Sequence, residues 1–219
     1  MSEPPPYPQP PWETHGFAVF CPYAVPLGAL ALPDGLEPVH VAGRAAGLLA
    51  YVRYEAPSPL TYEEMIWMPA FVRHRAAGGE LVRGFWVSRM WVDSEASLRA
   101  GRELWALPKT LARFERSRTG VAMHADHGTE LVLEWRRLSP ALPFRSRVAT
   151  VQLDGDRVVR FRARTTAHTS LARLDVRRLS SSDDALRSLD EATPAGGLAS
   201  MLAPFETTML APVVYERGG

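Results

Sequence analysis

The sequence predicts a β-rich α+β domain, with a curved or barrel-like sheet whose interior can hold a small ligand, and with a few short helices. Two observations carry this. Most of the chain falls into segments with a period of two between apolar and polar residues, separated by strong turn signals. The helical signals are few and short.

The first residues, 1–12, hold six prolines and favour an extended, polyproline-like arm anchored by Trp12. Such an arm packs along its own domain or a neighbouring subunit; residues 13–219 then form a single domain. Gly16–Cys21 reads as a strand and Pro26–Leu32 as a helical turn opened by proline and closed by Pro33-Asp34-Gly35. Val39–Ala42 and Leu48–Tyr54 follow as strands. Tyr62–His74 is β-branched and aromatic enough for one long strand, and Leu81–Val92 returns as its partner after the Gly78-Gly79 turn.

Asp93 or Ser94 caps a helix that runs through Ala96, Leu98 and Ala100 to Arg102. Pro108 drives Leu107 out of helical geometry, which puts Lys109 on a rigid extended segment. Leu111–Glu115, Val121–Ala125 and Glu130–Leu138 are strands. Asp154-Gly155-Asp156 joins Arg147–Leu153 to Arg157–Thr165 as a hairpin, and His168–Leu179 continues the pattern. Ser180–Asp184 caps a short helix ending near Leu189, and Leu202–Glu216 closes the domain.

Composition narrows the function. A chain of 219 residues buries a real core, and a formal net charge of +1 with no concentrated basic block argues against a nucleic-acid partner. One cysteine, Cys21, excludes an intramolecular disulfide and reads as a small buried apolar residue, which fits a reducing cytoplasm. No apolar run spans a bilayer and no leader pattern opens the chain, so a soluble cytoplasmic protein without a membrane partner is expected. His124 and His127 lack a third ligand nearby and are not read as a metal site. Arg160, Arg162 and Arg164 share a strand face, read as solvated or subunit-contacting ahead of carboxylate-binding.

The informative residue is Lys109, the only lysine among 25 basic residues. A cation needed only for its charge can be arginine, whereas an amine can shed its proton and attack a carbonyl. Trp105, Leu107, Pro108 and Leu111 flank it, and apolar surroundings push an amine toward its neutral form. Upstream, Glu64 shares a strand face with Tyr62, Ile66 and Met68, as an inward-pointing carboxylate would. The pattern alone equally allows Glu63 and Glu64 to straddle the strand with one in solvent.

Met90-Trp91-Val92-Asp93, Gly101-Arg102-Glu103-Leu104 and Pro108-Lys109, with Tyr62-Glu63-Glu64 before them, resemble the acetoacetate decarboxylase family. The resemblance is specific over residues 62–114 and weaker elsewhere. It implies a closed β-cone, homo-oligomeric subunits, and a Schiff base between Lys109 and a small keto acid. It also implies Glu64 as the partnering catalytic carboxylate, with Tyr62, Met90, Trp105 and Leu107 at the substrate, and chemistry that needs no metal or organic cofactor. Three departures stand out. Thr110 replaces the family's second lysine, an apolar residue near Leu48 or Leu49 replaces its second acid, and Thr14-His15-Gly16 offers no counterpart to its N-terminal arginine. The alternatives are an aldolase-dehydratase using the same imine on pyruvate-like substrates, and a non-catalytic β-barrel that binds a small ligand.

Overall fold

The computed structural model of the chain describes residues 7–183 and 186–218. In chain order, β1 (Trp12–Pro26) is followed by the short β2 (Glu37–Pro38) and β3 (His40–Val41). Next come β4 (Arg44–Glu55), β5 (Tyr62–Met68), β6 (Ala70–Arg75), β7 (Leu81–Trp86) and β8 (Arg89–Val92). Helix α1 (Glu95–Trp105) leads into β9 (Lys109–Arg116), β10 (Gly120–Ala125), β11 (Glu130–Arg137), β12 (Leu142–Asp154) and β13 (Arg157–Ser180). The short α2 (Arg187–Asp190), β14 (Thr193–Pro194), β15 (Ala199–Met209) and β16 (Val213–Glu216) complete the described chain.

These strands make one sheet in the order β11-β10-β9-β8-β5-β4-β1-β15-β13, and β11 also pairs with β13, so that run closes into a ring. A second branch leaves β13 through β12, β7 and β6, and β6 is the continuation of β5 beyond Pro69. The expected curved sheet is therefore present, as a ring-like sheet with two interiors that share β1, β4, β5, β13 and β15.

Sharing explains an unusual burial pattern. Side chains alternate across a strand, so a strand between two interiors buries both faces. On β4, Leu49 and Tyr51 enter one core while Ala50, Val52 and Tyr54 enter the other. All seven residues of β5 are buried for the same reason. Glu63 and Glu64 are both buried, so of the two arrangements the pattern allowed, the one with a glutamate in solvent is not found.

Two long strands expected from composition are each broken. Pro69 ends β5, because a proline has no N–H to give the ladder, and the chain changes partners: β5 pairs with β4 and β8, β6 with β2 and β7. Opposite that break the chain interrupts again at Val87-Ser88, where the Ser88 N–H is given to the Trp67 carbonyl. Elsewhere the strands run longer than expected. The strand expected at Gly16–Cys21 extends over Trp12–Pro26, and β13 runs through residues 157–180 with a bulge between Ala167 and Thr169. The Asp154-Gly155-Asp156 hairpin is present. The expected cap at Ser180–Asp184 lies partly outside the described residues, and α2 itself ends at Asp190.

The N-terminal segment, as far as it is described, lies against α1. Trp12 packs edge-on against Trp105 with ring centroids 5.0 Å apart and donates its indole N–H to the Pro8 carbonyl. The Tyr7 hydroxyl bonds Glu103. Residues 1–6 of the expected arm lie outside the described residues.

Candidate active site

β8, α1 and β9 form a strand–helix–strand unit in which β8 and β9 pair in parallel, with Met90 opposite Lys109. Ser94 caps the helix by accepting the Ser97 N–H, while Asp93 accepts the Glu63 N–H and ties the helix start to β5. The helix ends at Ala106, whose φ of 52° lies in the left-handed region. The Ala106 and Leu107 N–H groups return to the Arg102 and Gly101 carbonyls. Pro108 then starts the chain into β9, and Arg102 donates to the Lys109 carbonyl at 2.8 Å. The backbone of the lysine is held on both sides.

Its side chain crosses the helix at Gly101. A Cβ at that position would stand 2.5 Å from the Lys109 Cδ, inside any real contact, so the glycine is what lets the lysine stem lie against the helix. Beyond it, Nζ donates to Glu64 Oε2 at 2.7 Å and to Ser97 Oγ at 2.9 Å. Nζ also lies 5.1 Å from the centre of the Tyr62 ring. Lys109 is 2% exposed and Glu64 3%. A buried pair of this kind is tolerated because each charge is met by the other and by further hydrogen bonds.

Two tyrosines complete the cluster. Tyr54 donates its hydroxyl to Glu64 Oε1 at 3.2 Å, and the Tyr54 and Tyr62 rings stack with centroids 4.4 Å apart. Burial, reinforced by the Glu64 carboxylate, pushes both phenols well above their ordinary range, so both remain protonated. Tyr54 is thereby a fixed donor to the carboxylate.

The cluster opens into a cavity of about 250 Å³. Every residue singled out from the sequence lines it: Lys109, Glu64, Tyr62, Met90, Trp105 and Leu107. Of the two residues near which the resemblance places an acid, Leu48 lines it too, while Leu49 enters the other core. Thr110 is exposed on the opposite face of β9. On β13 it is Phe161, Ala163 and Thr165 that face the cavity, leaving Arg162 and Arg164 exposed outside it.

Ser97 and Tyr54 were not apparent as site residues in the sequence. The signal for Ser97 was its place four residues before Gly101, on one helix face. That for Tyr54 was its alternation with Ala50 and Val52. Glu63 also has a role that the sequence does not announce: it accepts from Tyr51 at 2.6 Å, pairs with Arg116 at 2.9 Å, and so braces β5 from the other interior.

Residues 2–193 match the acetoacetate decarboxylase family. The same architecture recurs in solved structures. An acetoacetate decarboxylase-like enzyme from Sphingomonas wittichii RW1 superposes with a TM-score of 0.68 at 16% identity, covering 95% of this chain and 94% of that one. An acetoacetate decarboxylase from Legionella pneumophila gives 0.64 at 15% identity, over 98% and 92% of the chains. The enduracididine biosynthesis enzyme MppR, complexed with the condensation product of pyruvate and imidazole 4-carboxaldehyde, gives 0.64 at 16% identity over 99% and 98%. No curated protein sequence matches the chain. The sheet is of the acetoacetate-decarboxylase-like fold, with a lysine and a carboxylate paired at the wall of its cavity. The chain belongs to the acetoacetate decarboxylase family.

Proposed function

We propose that the chain is a Schiff-base-forming lyase that decarboxylates a keto acid through an imine on Lys109. The observation that carries the reading is the sole lysine, buried at the cavity wall with its Nζ 2.7 Å from the Glu64 carboxylate.

Imine formation has a group to perform each proton transfer. Glu64 takes a proton from Nζ, and the neutral amine attacks the ketone carbon. The carbinolamine oxygen leaves as water when Glu64 returns the proton, and a protonated carbon–nitrogen double bond remains. The bond to the carboxylate carbon then breaks, carbon dioxide departs, and the electron pair moves through the iminium to give an enamine. Protonation of that carbon and hydrolysis by water release the ketone and restore the amine. Tyr54, held in its protonated form, keeps Glu64 aimed at Nζ, and the stacked Tyr62 walls one side of the reacting nitrogen. Water is the only co-reactant.

The same imine supports a second reading, an aldolase-dehydratase acting on pyruvate-like substrates. It is favoured by an apolar residue, near Leu48 or Leu49, standing where the family resemblance places a second acid, and by MppR, whose structure holds a pyruvate condensation product. Assembly as a homo-oligomer and a cytoplasmic location belong to the same proposal, and light scattering of the purified chain reads the first. Carbon dioxide release from a panel of 3-oxo acids tests the lyase reading: release should be enzyme-dependent and absent in Lys109→Met. Aldol or dehydration products from pyruvate and an aldehyde, without decarboxylation, would replace it with the second reading.

A further inference from the structure

The cavity is charged at one end only. Among the described residues lining it, Lys109 and Glu64 are the only charged ones, and they are paired with each other. From Glu64 on β5 the wall passes through β4, β1 and β15 to β13 and β12. There the inward side chains are Phe161, Ala163, Phe144 and Val148. Polar groups on that side are hydroxyls alone, and those of Thr165 and Thr207 are 2.8 Å apart and bond each other. A volume of about 250 Å³ equals that of roughly eight water molecules in the liquid, at about 30 Å³ each. Acetoacetate or pyruvate would leave part of that space empty and the apolar surface on β12 and β13 unused.

Resting on the Schiff-base reading above, we infer that the substrate is a 3-oxo acid whose ketone carries an extended hydrocarbon or aryl group, housed against β12 and β13. With its ketone at Lys109, the carboxylate of such an acid meets no arginine, and its only cation is the iminium formed at Nζ. An uncharged wall disfavours a carboxylate relative to neutral carbon dioxide, so the same apolar surface that holds the tail assists the departure of the acid. Bonds form and break as in the general scheme, and the released ketone retains the tail.

The experiment uses the wild-type chain with two matched series. Borohydride-trapped adduct is measured for acetoacetate, 3-oxohexanoate, 3-oxooctanoate and benzoylacetate. Dissociation constants are measured by calorimetry for the secondary alcohols 2-butanol, 2-hexanol and 2-octanol, which form no imine. The expected result is a roughly four-fold gain in alcohol affinity per methylene, the factor equivalent to about 0.8 kcal/mol of burial, with trapping efficiency rising in parallel. In Ala163→Phe, whose larger side chain enters the tail region, the gain should stop at shorter chains. Affinity independent of chain length, or acetoacetate trapped best, overturns the inference and leaves the imine intact. Rising alcohol affinity with no trapped adduct supports the apolar ligand class and removes the Schiff-base reading instead.

Discussion

Lys109 and Glu64 are each expensive to bury alone and acceptable together, and their pairing sets what single substitutions do. Lys109→Met leaves an unpaired buried carboxylate, so chemical denaturation should show a loss of about 3–5 kcal/mol. Adding Glu64→Gln should recover most of it, because the uncompensated charge is gone. If the double variant is no more stable than the single one, the pair is not a buried ion pair in solution. For turnover, Glu64→Gln alone should slow carbon dioxide release by roughly 10²–10⁴, the usual contribution of a positioned acid–base group. At this scale the sequence was informative where chemistry is rare. A lone lysine among arginines stands out, and so does an acid on an apolar strand face. Ser97 and Tyr54 did not stand out, because a serine within a helix and a tyrosine in a strand are ordinary until a buried ammonium or carboxylate turns toward them.

The helix α1 is shaped to carry the lysine at some expense to itself. Gly101 is unfavourable within a helix, yet a methyl group there would collide with the Lys109 stem. Gly101→Ala should therefore keep its helical circular dichroism while imine formation falls by roughly a hundredfold, the scale of an ångström's misplacement. Unchanged trapping would mean that the stem has another route to the cavity. Ala106 sits left-handed at the helix end, so Ala106→Gly should raise the unfolding free energy by about 0.5–1 kcal/mol. A lower denaturation midpoint would contradict that reading of the helix end. The helix and its Ser94 cap were legible from the residues, as was the extended segment that Pro108 enforces. The breaks at Pro69 and Val87-Ser88 were legible in principle for the first, since proline punctuates strands. The second follows from it only once the two chains are known to lie side by side.

Closure of the sheet had no local signature. β11 meets β13 through residues separated by more than thirty positions, as in Glu130 opposite Ser180, and no turn sequence specifies such a pairing. Burial on both faces of β5 likewise appears only when two interiors share a strand, which is why the pattern alone left open a glutamate in solvent. The rings also give the whole molecule a dependence on alkaline pH. Tyr54 and Tyr62 are raised by burial first and by Glu64 second, Tyr23 and Tyr51 are raised by burial, and Cys21 is pushed up to about 11. Their folded-state values exceed the unfolded ones, so this stability is complete below the unfolded values, near 9 for the thiol and about 10 for the phenols. As pH rises beyond them the unfolded chain loses protons that the folded chain keeps, and stability falls. The denaturant midpoint should therefore begin to fall near pH 9 and drop steeply above about pH 10, ahead of tyrosinate absorbance from these four buried phenols. Ionisation of these four phenols at about pH 10 without unfolding, read against a Tyr7→Phe/Tyr215→Phe background, would show that they are accessible.

Borohydride reduction in the presence of a 3-oxo acid, read by intact mass and peptide mapping, tests the central claim most directly, since a single lysine leaves only the N-terminal amine to compete. The account predicts one reduced adduct, on the peptide containing Lys109, that disappears in Lys109→Arg. No adduct across short, long and aryl keto acids, or an adduct on the N-terminal amine alone, would contradict it.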